Sequence, residues 1–154
     1  MRARFILAAT MVVALAAPAR MAGPASYGSG VSVPETTPLA RVLERPADFA
    51  GKTVKVEGVV TAVCSEMGCW MALAPDGAAA DAKGKTLLIK VEEGVVVLPV
   101  SAKGHRAAAQ GVMQRVGGHD AHDHEAAAEH AKAEGRPAES AEAWQLKATG
   151  ALVY

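Results

Sequence analysis

The chain has 154 residues, 51% of them hydrophobic and only 4% aromatic, and its 16 basic and 16 acidic residues leave no net charge. That length suits one domain with a modest core. The charge balance excludes a polyanion binder that works by bulk attraction. Past the N-terminus the aromatics are Tyr27, Phe49, Trp70, Trp144 and Tyr154, too few for a stacking platform, so no nucleic-acid partner is expected.

The first residues have the three parts of a secretory signal peptide. Arg2 and Arg4 form a positive start, Phe5 to Ala17 an apolar run, and Ala17-Pro18-Ala19 the small residues a signal peptidase reads. Residues 1–19 are read as the signal, with the stretch from Ala22 to Ala25 as a second candidate for the cut. The apolar run falls short of the ~20 residues that span a bilayer. No Cys lies near the cut for lipid attachment, and no later segment is apolar enough to cross a membrane. The expectation is a periplasmic or secreted protein, soluble after cleavage and without stable membrane insertion. Loss of Arg2 and Arg4 leaves the mature chain slightly negative.

Residues 20–35, rich in Gly, Ser, Pro and Ala, read as a flexible lead-in, and residues 36–154 as a single domain. A short helix follows, with Thr37 as cap, Pro38 in its first turn and Leu39, Val42 and Leu43 on one face; Pro46 ends it. From Gly51 the alternation Thr53-Val54-Lys55-Val56-Glu57 predicts a strand with Val54 and Val56 inward. Gly58 predicts a bulge or bend within it. The strand resumes to Cys64, turns tightly, and returns over residues 69–73. Further strands are predicted over residues 85–91, 106–114 and 144–153. Val95 to Pro99 reads as a short extended piece. A helix precedes the last strand, with Asp120 or Asp123 as cap, Glu125 in the first turn, Ala126 to Ala133 as helix formers, and Gly135 and Pro137 at its end.

A strand broken by one glycine recurs at Gly58, Gly111 and Gly150. Strongly bent strands are what a small closed barrel needs at its corners. The fold class predicted is therefore mainly β: a small OB-like barrel of five to six strands, with a short N-terminal helix and one helix before the last strand.

The most specific stretch is Val63-Cys64-Ser65-Glu66-Met67-Gly68-Cys69-Trp70-Met71. Ser65 to Gly68 make a connection of common hairpin length, with Gly68 able to take a positive φ. Cys64 and Cys69 would then face each other with Cα atoms roughly 4.5–5.5 Å apart. Three states fit that separation: a structural disulfide, a two-thiolate metal site, or a redox-active dithiol. Soft thiolates favour zinc or Cu(I), and Met67 and Met71 are thioethers that would favour copper. The redox state needs a thiolate stabilised by a helix N-terminus or a cation, and the sequence offers neither.

Two thiolates do not complete a tetrahedral site, so a metal needs donors from elsewhere. His119, His122, His124 and His130 cluster with Asp120, Asp123, Glu125 and Glu129 around the late helix. Such tracts bind divalent metals. His122 and His130 stand two turns apart near one helical face, and His130, within the regular helix, is the chosen third ligand. The candidate metal set is Cys64, Cys69, His130, Met71, His122 and His124.

Val63-Cys64 and Gly68-Cys69-Trp70-Met71, with Tyr27-Gly28, Gly51-Lys52, Val54, Val56, Gly58, Val60, Pro99, Gly104, Gly111, the His/Glu helix around His130, Ala148 and Gly150, give the chain its resemblance to the bacterial domain-of-unknown-function family 4920, whereas the His/Asp stretch 119–124 is particular to this sequence. The string Cys64-x4-Cys69-Trp70-Met71 carries most of it. The family's helix tends to read His-Tyr-Ala-Glu-Asp where this chain has His130-Ala131-Lys132-Ala133-Glu134. The resemblance implies export, an OB-like barrel and the Cys hairpin, and no activity.

Three functions compete. The leading expectation is an exported, non-catalytic binding module whose partner is a metal ion, zinc or copper, or a small soft ligand. The alternatives are a periplasmic thiol–disulfide redox protein and a structural OB-like module with a plain disulfide. No Ser/His/Asp set or paired carboxylates stand out, so hydrolase chemistry is not expected.

Overall fold

A computed structural model describes residues 23–77, 85–116, 121–133 and 144–154. The signal-peptide reading, His119, Asp120, Gly135 and Pro137 lie outside the described residues. Ten elements follow in chain order, two of them 3-10 turns at Pro46–Phe49 and Val100–Ala102. The strands are β1 (Ala25–Gly28), β2 (Thr53–Val63), β3 (Trp70–Ala74), β4 (Leu87–Lys90), β5 (Arg106–Arg115) and β6 (Trp144–Val153). The helices are α1 (Leu39–Glu44) and α2 (Ala121–Ala133).

The strands run β1-β6-β4-β3-β2-β5, and β5 pairs back onto β6. Five strands therefore close into a barrel and β1 is an addition outside it. All pairings are antiparallel except β4 with β6. The early part of β6 pairs β4 and its end pairs β1, while β5 follows it along its length. Closure leaves few open edges. With α2 before the last strand, this is a small OB-like barrel of mainly β structure.

Period-two alternation fills the interior. Val54, Val56, Val60, Met71, Leu73, Leu87, Ile89, Ala107, Ala109, Met113 and Leu146 form the main cluster, joined by Leu39, Val42 and Leu43 of α1. Pro38 is the residue before α1 and makes no side-chain cap. Thr37, the expected cap, instead donates its backbone N–H to Lys55 O at 2.7 Å. Residues 25–28, within the segment that reads as a flexible lead-in, extend the sheet as β1. The piece from Val95 to Pro99 belongs to no strand.

The predicted irregularity in β2 lies elsewhere than at Gly58. Gly58 pairs regularly with Ala107. It is needed because a Cβ there would run into the Ala74 backbone and come within 2.9 Å of Leu39 Cδ2. The register shift falls between Val60 and Ala62, so Thr61 is the extra residue. Its hydroxyl donates to Ala72 O at 3.3 Å. A second shift falls at Gly111 on β5, where β6 carries Thr149 as its extra residue.

The Thr61 bulge inverts the facing of everything after it. Before it, Val54, Val56 and Val60 point inward; after it, Val63 does, and Ala62 faces out. Cys64 is thereby delivered to the outside of the barrel. There, Ala62, Cys69, Trp70, Ala72 and Leu88 form a second apolar cluster, with Cys64 packed against it.

Candidate thiol site

The site is built from the β2–β3 hairpin and the loop after β4. Cys64 N–H donates to Trp70 O at 3.0 Å, and Gly68 N–H donates to Cys64 O at 3.1 Å, closing the turn. Gly68 has φ +61°, as the turn requires. A Cβ there would also strike the Leu98 backbone and lie 3.0 Å from Val97 Cγ1. Close packing follows from two further bonds: Val91 N–H donates to Cys69 O at 2.9 Å and Leu98 N–H to Gly68 O at 2.9 Å. Residues 91–98 are thus clamped at both ends to the Gly68-Cys69 peptide.

Neither cysteine is disulfide-bonded; Cys69 is buried and Cys64 half-buried. Their sulfurs stand 3.6 Å apart, the Cys69 thiol donating to Cys64 Sγ. A bonded pair would sit at about 2.05 Å, so this is a contact and not a disulfide. Burial pushes the Cys64 thiol up, but the backbone N–H groups of Met67, Cys69 and Glu66 and the Cys69 thiol hold the net value below that of an ordinary thiol. The tight turn aims its amides at the sulfur and forms a small anion cradle. No helix N-terminus or cation is required, and this is the feature sequence reasoning missed. The signal available for it was the spacing itself: a tight turn between the cysteines, ending in Gly68.

The structure separates the predicted metal ligands. Cys64 and Cys69 meet. His130 comes close to their neighbour: its ring lies edge-on to Trp70, centroids 6.2 Å apart and planes at 66°. Trp70 is buried and His130 is exposed, so α2 covers the outer face of the hairpin through this pair. Met71 points the other way, into the barrel interior, as strand alternation demands after Trp70. His122 is exposed on α2, and the side chain of His124 lies outside the described residues. Since α2 begins at Ala121, both belong to its first turn. Among the described residues no group of three or more His, Cys, Asp or Glu gathers in a metal-binding arrangement.

What the pair can do chemically follows from its asymmetry. One sulfur is accessible and stabilised as a thiolate; the other is buried against it. No protein-family model and no curated protein matches this chain, so the site stands on its own geometry.

Proposed function

We propose that the chain is an exported thiol–disulfide redox protein whose working pair is Cys64 and Cys69. The observation that carries this reading is two thiol sulfurs in contact, 3.6 Å apart, with unequal access. Cys64 attacks one sulfur of a substrate disulfide; a Cys64–substrate disulfide forms and one substrate thiolate leaves. Cys69 then attacks Cys64 Sγ, releasing the second substrate thiolate, which takes up the Cys69 proton. Two electrons pass from the protein dithiol to the substrate, and the reverse sequence oxidises a substrate dithiol. The amide cradle supports the role of Cys64, since a thiolate is the attacking species.

The reduced mature protein should reduce oxidised glutathione and lose two thiols per chain. Cys64→Ser should abolish the exchange, and Cys69→Ser should accumulate the mixed disulfide, both read by mass. No exchange, or a pair that resists reduction at any biological potential, would sink the proposal.

A second reading keeps the same pair as metal ligands, and one distance favours it. Two sulfurs on a tetrahedral zinc, each about 2.3 Å from the metal, stand about 3.8 Å apart. The spacing here needs little change, and His130, whose ring lies edge-on to Trp70, is the candidate third donor. Elemental analysis with thiol counting on protein from its native compartment separates the readings: tightly held zinc or copper favours the metal site, and a metal-free dithiol or disulfide favours exchange.

A further inference from the structure

The loop clamped to the Cys hairpin carries a pattern that the fold does not need. In Val95-Val96-Val97-Leu98 the exposures alternate at 70%, 6%, 62% and 1%. Val96 and Leu98 belong to the main core. Val95 and Val97 face water, where an ordinary surface would carry polar residues. Met67, at the hairpin tip, is 57% exposed, and Val100, just past the loop, is 54% exposed. Among the described residues the other large apolar side chain exposed to this degree is Tyr154. Four of these five therefore fall on two segments joined through the Gly68–Leu98 hydrogen bond. Scattered single apolar residues carry no message, but a group confined to one rim does.

The charge of this rim has one sign. Across residues 64–70 and 91–99 the charged residues are Glu66, Glu92 and Glu93, with no Lys or Arg. Glu93 is partly compensated by Lys90, 3.0 Å away. An occupant that matches the rim is apolar at its centre and basic at its flanks. It must also present sulfur, because the rim borders the accessible Cys64.

The geometry points to an apolar, basic-flanked polypeptide segment bearing a disulfide as the substrate exchanged at Cys64. This rests on the reading of Cys64 and Cys69 as a redox pair. The segment lays its apolar residues on Met67, Val95 and Val97, which brings its disulfide to Cys64. Cys64 takes one sulfur of it and the other leaves as a thiolate; Cys69 then frees the segment as a thiol.

The test uses the reduced full mature chain and three probes. The first is oxidised glutathione, small and acidic. The second is a peptide with leucine and valine around its cysteine and lysine at both ends, its cysteine held as a mixed disulfide with thionitrobenzoate. The third is the same peptide with serine for the apolar residues and glutamate for the lysines. The apolar basic peptide should react about tenfold or more faster, in second-order rate constant, than its polar acidic counterpart, as burial of two or three apolar side chains implies. In the Val95→Ser, Val97→Ser double variant that ratio should fall about threefold or more, the remainder resting on Met67 and the acidic residues of the rim. Met67→Ser should lower it in the same direction, an independent check should the loop variant misfold. Equal rates with the two peptides overturn the inference alone. A dimer that Val97→Ser dissociates also overturns it, because a second copy then covers the rim. No reaction with any of the three probes overturns the redox reading and the inference together.

Discussion

Cys64 shows how one side chain acquires chemistry from its backbone surroundings. Amides of Glu66, Met67 and Cys69 converge on its sulfur, and the net effect, against burial, is a thiol held below its ordinary value. Site-resolved alkylation with iodoacetamide should therefore modify Cys64 faster than the buried Cys69. Its rate should rise with a midpoint below that of an ordinary free thiol. Linkage carries the same sign into stability. A thiol whose folded value is depressed contributes stability that is complete above the unfolded value and is lost as pH falls through the folded one. A midpoint at or above the free-thiol value would remove the cradle from the account.

At the scale of elements, the hairpin and the loop over residues 91–98 act as one piece, joined where Gly68 meets Leu98. Gly68→Ala tests that joint. The left-handed backbone at φ +61° and the collision with Leu98 and Val97 should together cost about 2–4 kcal/mol. Gly94 gives the control: its φ is +75°, yet nothing lies within 4 Å of a Cβ placed there. Gly94→Ala should cost only about 1 kcal/mol. Urea denaturation of the two variants measures the difference, and equal losses would mean the joint is not tightly packed. The Gly58 case has the same physics with another outcome. The sequence marks a small residue there, but the cause is the approach of Ala74 and Leu39, and the bulge lies at Thr61. A one-residue bulge leaves no compositional trace when the extra residue is an ordinary strand former such as threonine.

Over the whole molecule, the closed barrel explains both its economy and a flaw. Ala107, Ala108, Ala109, Ala148 and Ala151 are all buried on β5 and β6, the hydrogen-bonded pair that closes the sheet, where small side chains suit the confined space of a small barrel. Gln145, on β6, is fully buried, and neither amide atom has a hydrogen-bond partner among the described residues. It pairs with Leu88 and so faces the outer cluster of Trp70 and Ala72. An unpaired buried amide costs about 1–3 kcal/mol. Gln145→Leu should therefore raise stability by roughly that amount, read from thermal or urea unfolding. A loss of stability would show that the amide has a use there.

The sequence by itself determined the elements that local pattern controls. Alternation placed Val54 and Val56 inside β2, and the last strand matches its predicted limits at Trp144 and Val153. A proline and a glycine marked the ends of α1 and of the Cys turn, and the recurrence of broken strands pointed to the barrel. Pairing was another matter. Nothing local says that β6 lies parallel to β4, that residues 25–28 add a strand, or that Thr61 turns Cys64 outward, because each is decided by partners far along the chain. The same holds for the site. The sequence brought Cys64 and Cys69 together, since a tight turn joins them. It also selected Met71 as a donor by proximity in sequence, whereas strand alternation sends that side chain to the opposite face from Trp70. The tight turn also set the amides of Glu66, Met67 and Cys69 around the Cys64 sulfur; only the tertiary structure buried Cys69 and clamped an apolar loop beside the pair, because that depends on hydrogen bonds between the hairpin and residues some twenty to thirty positions away.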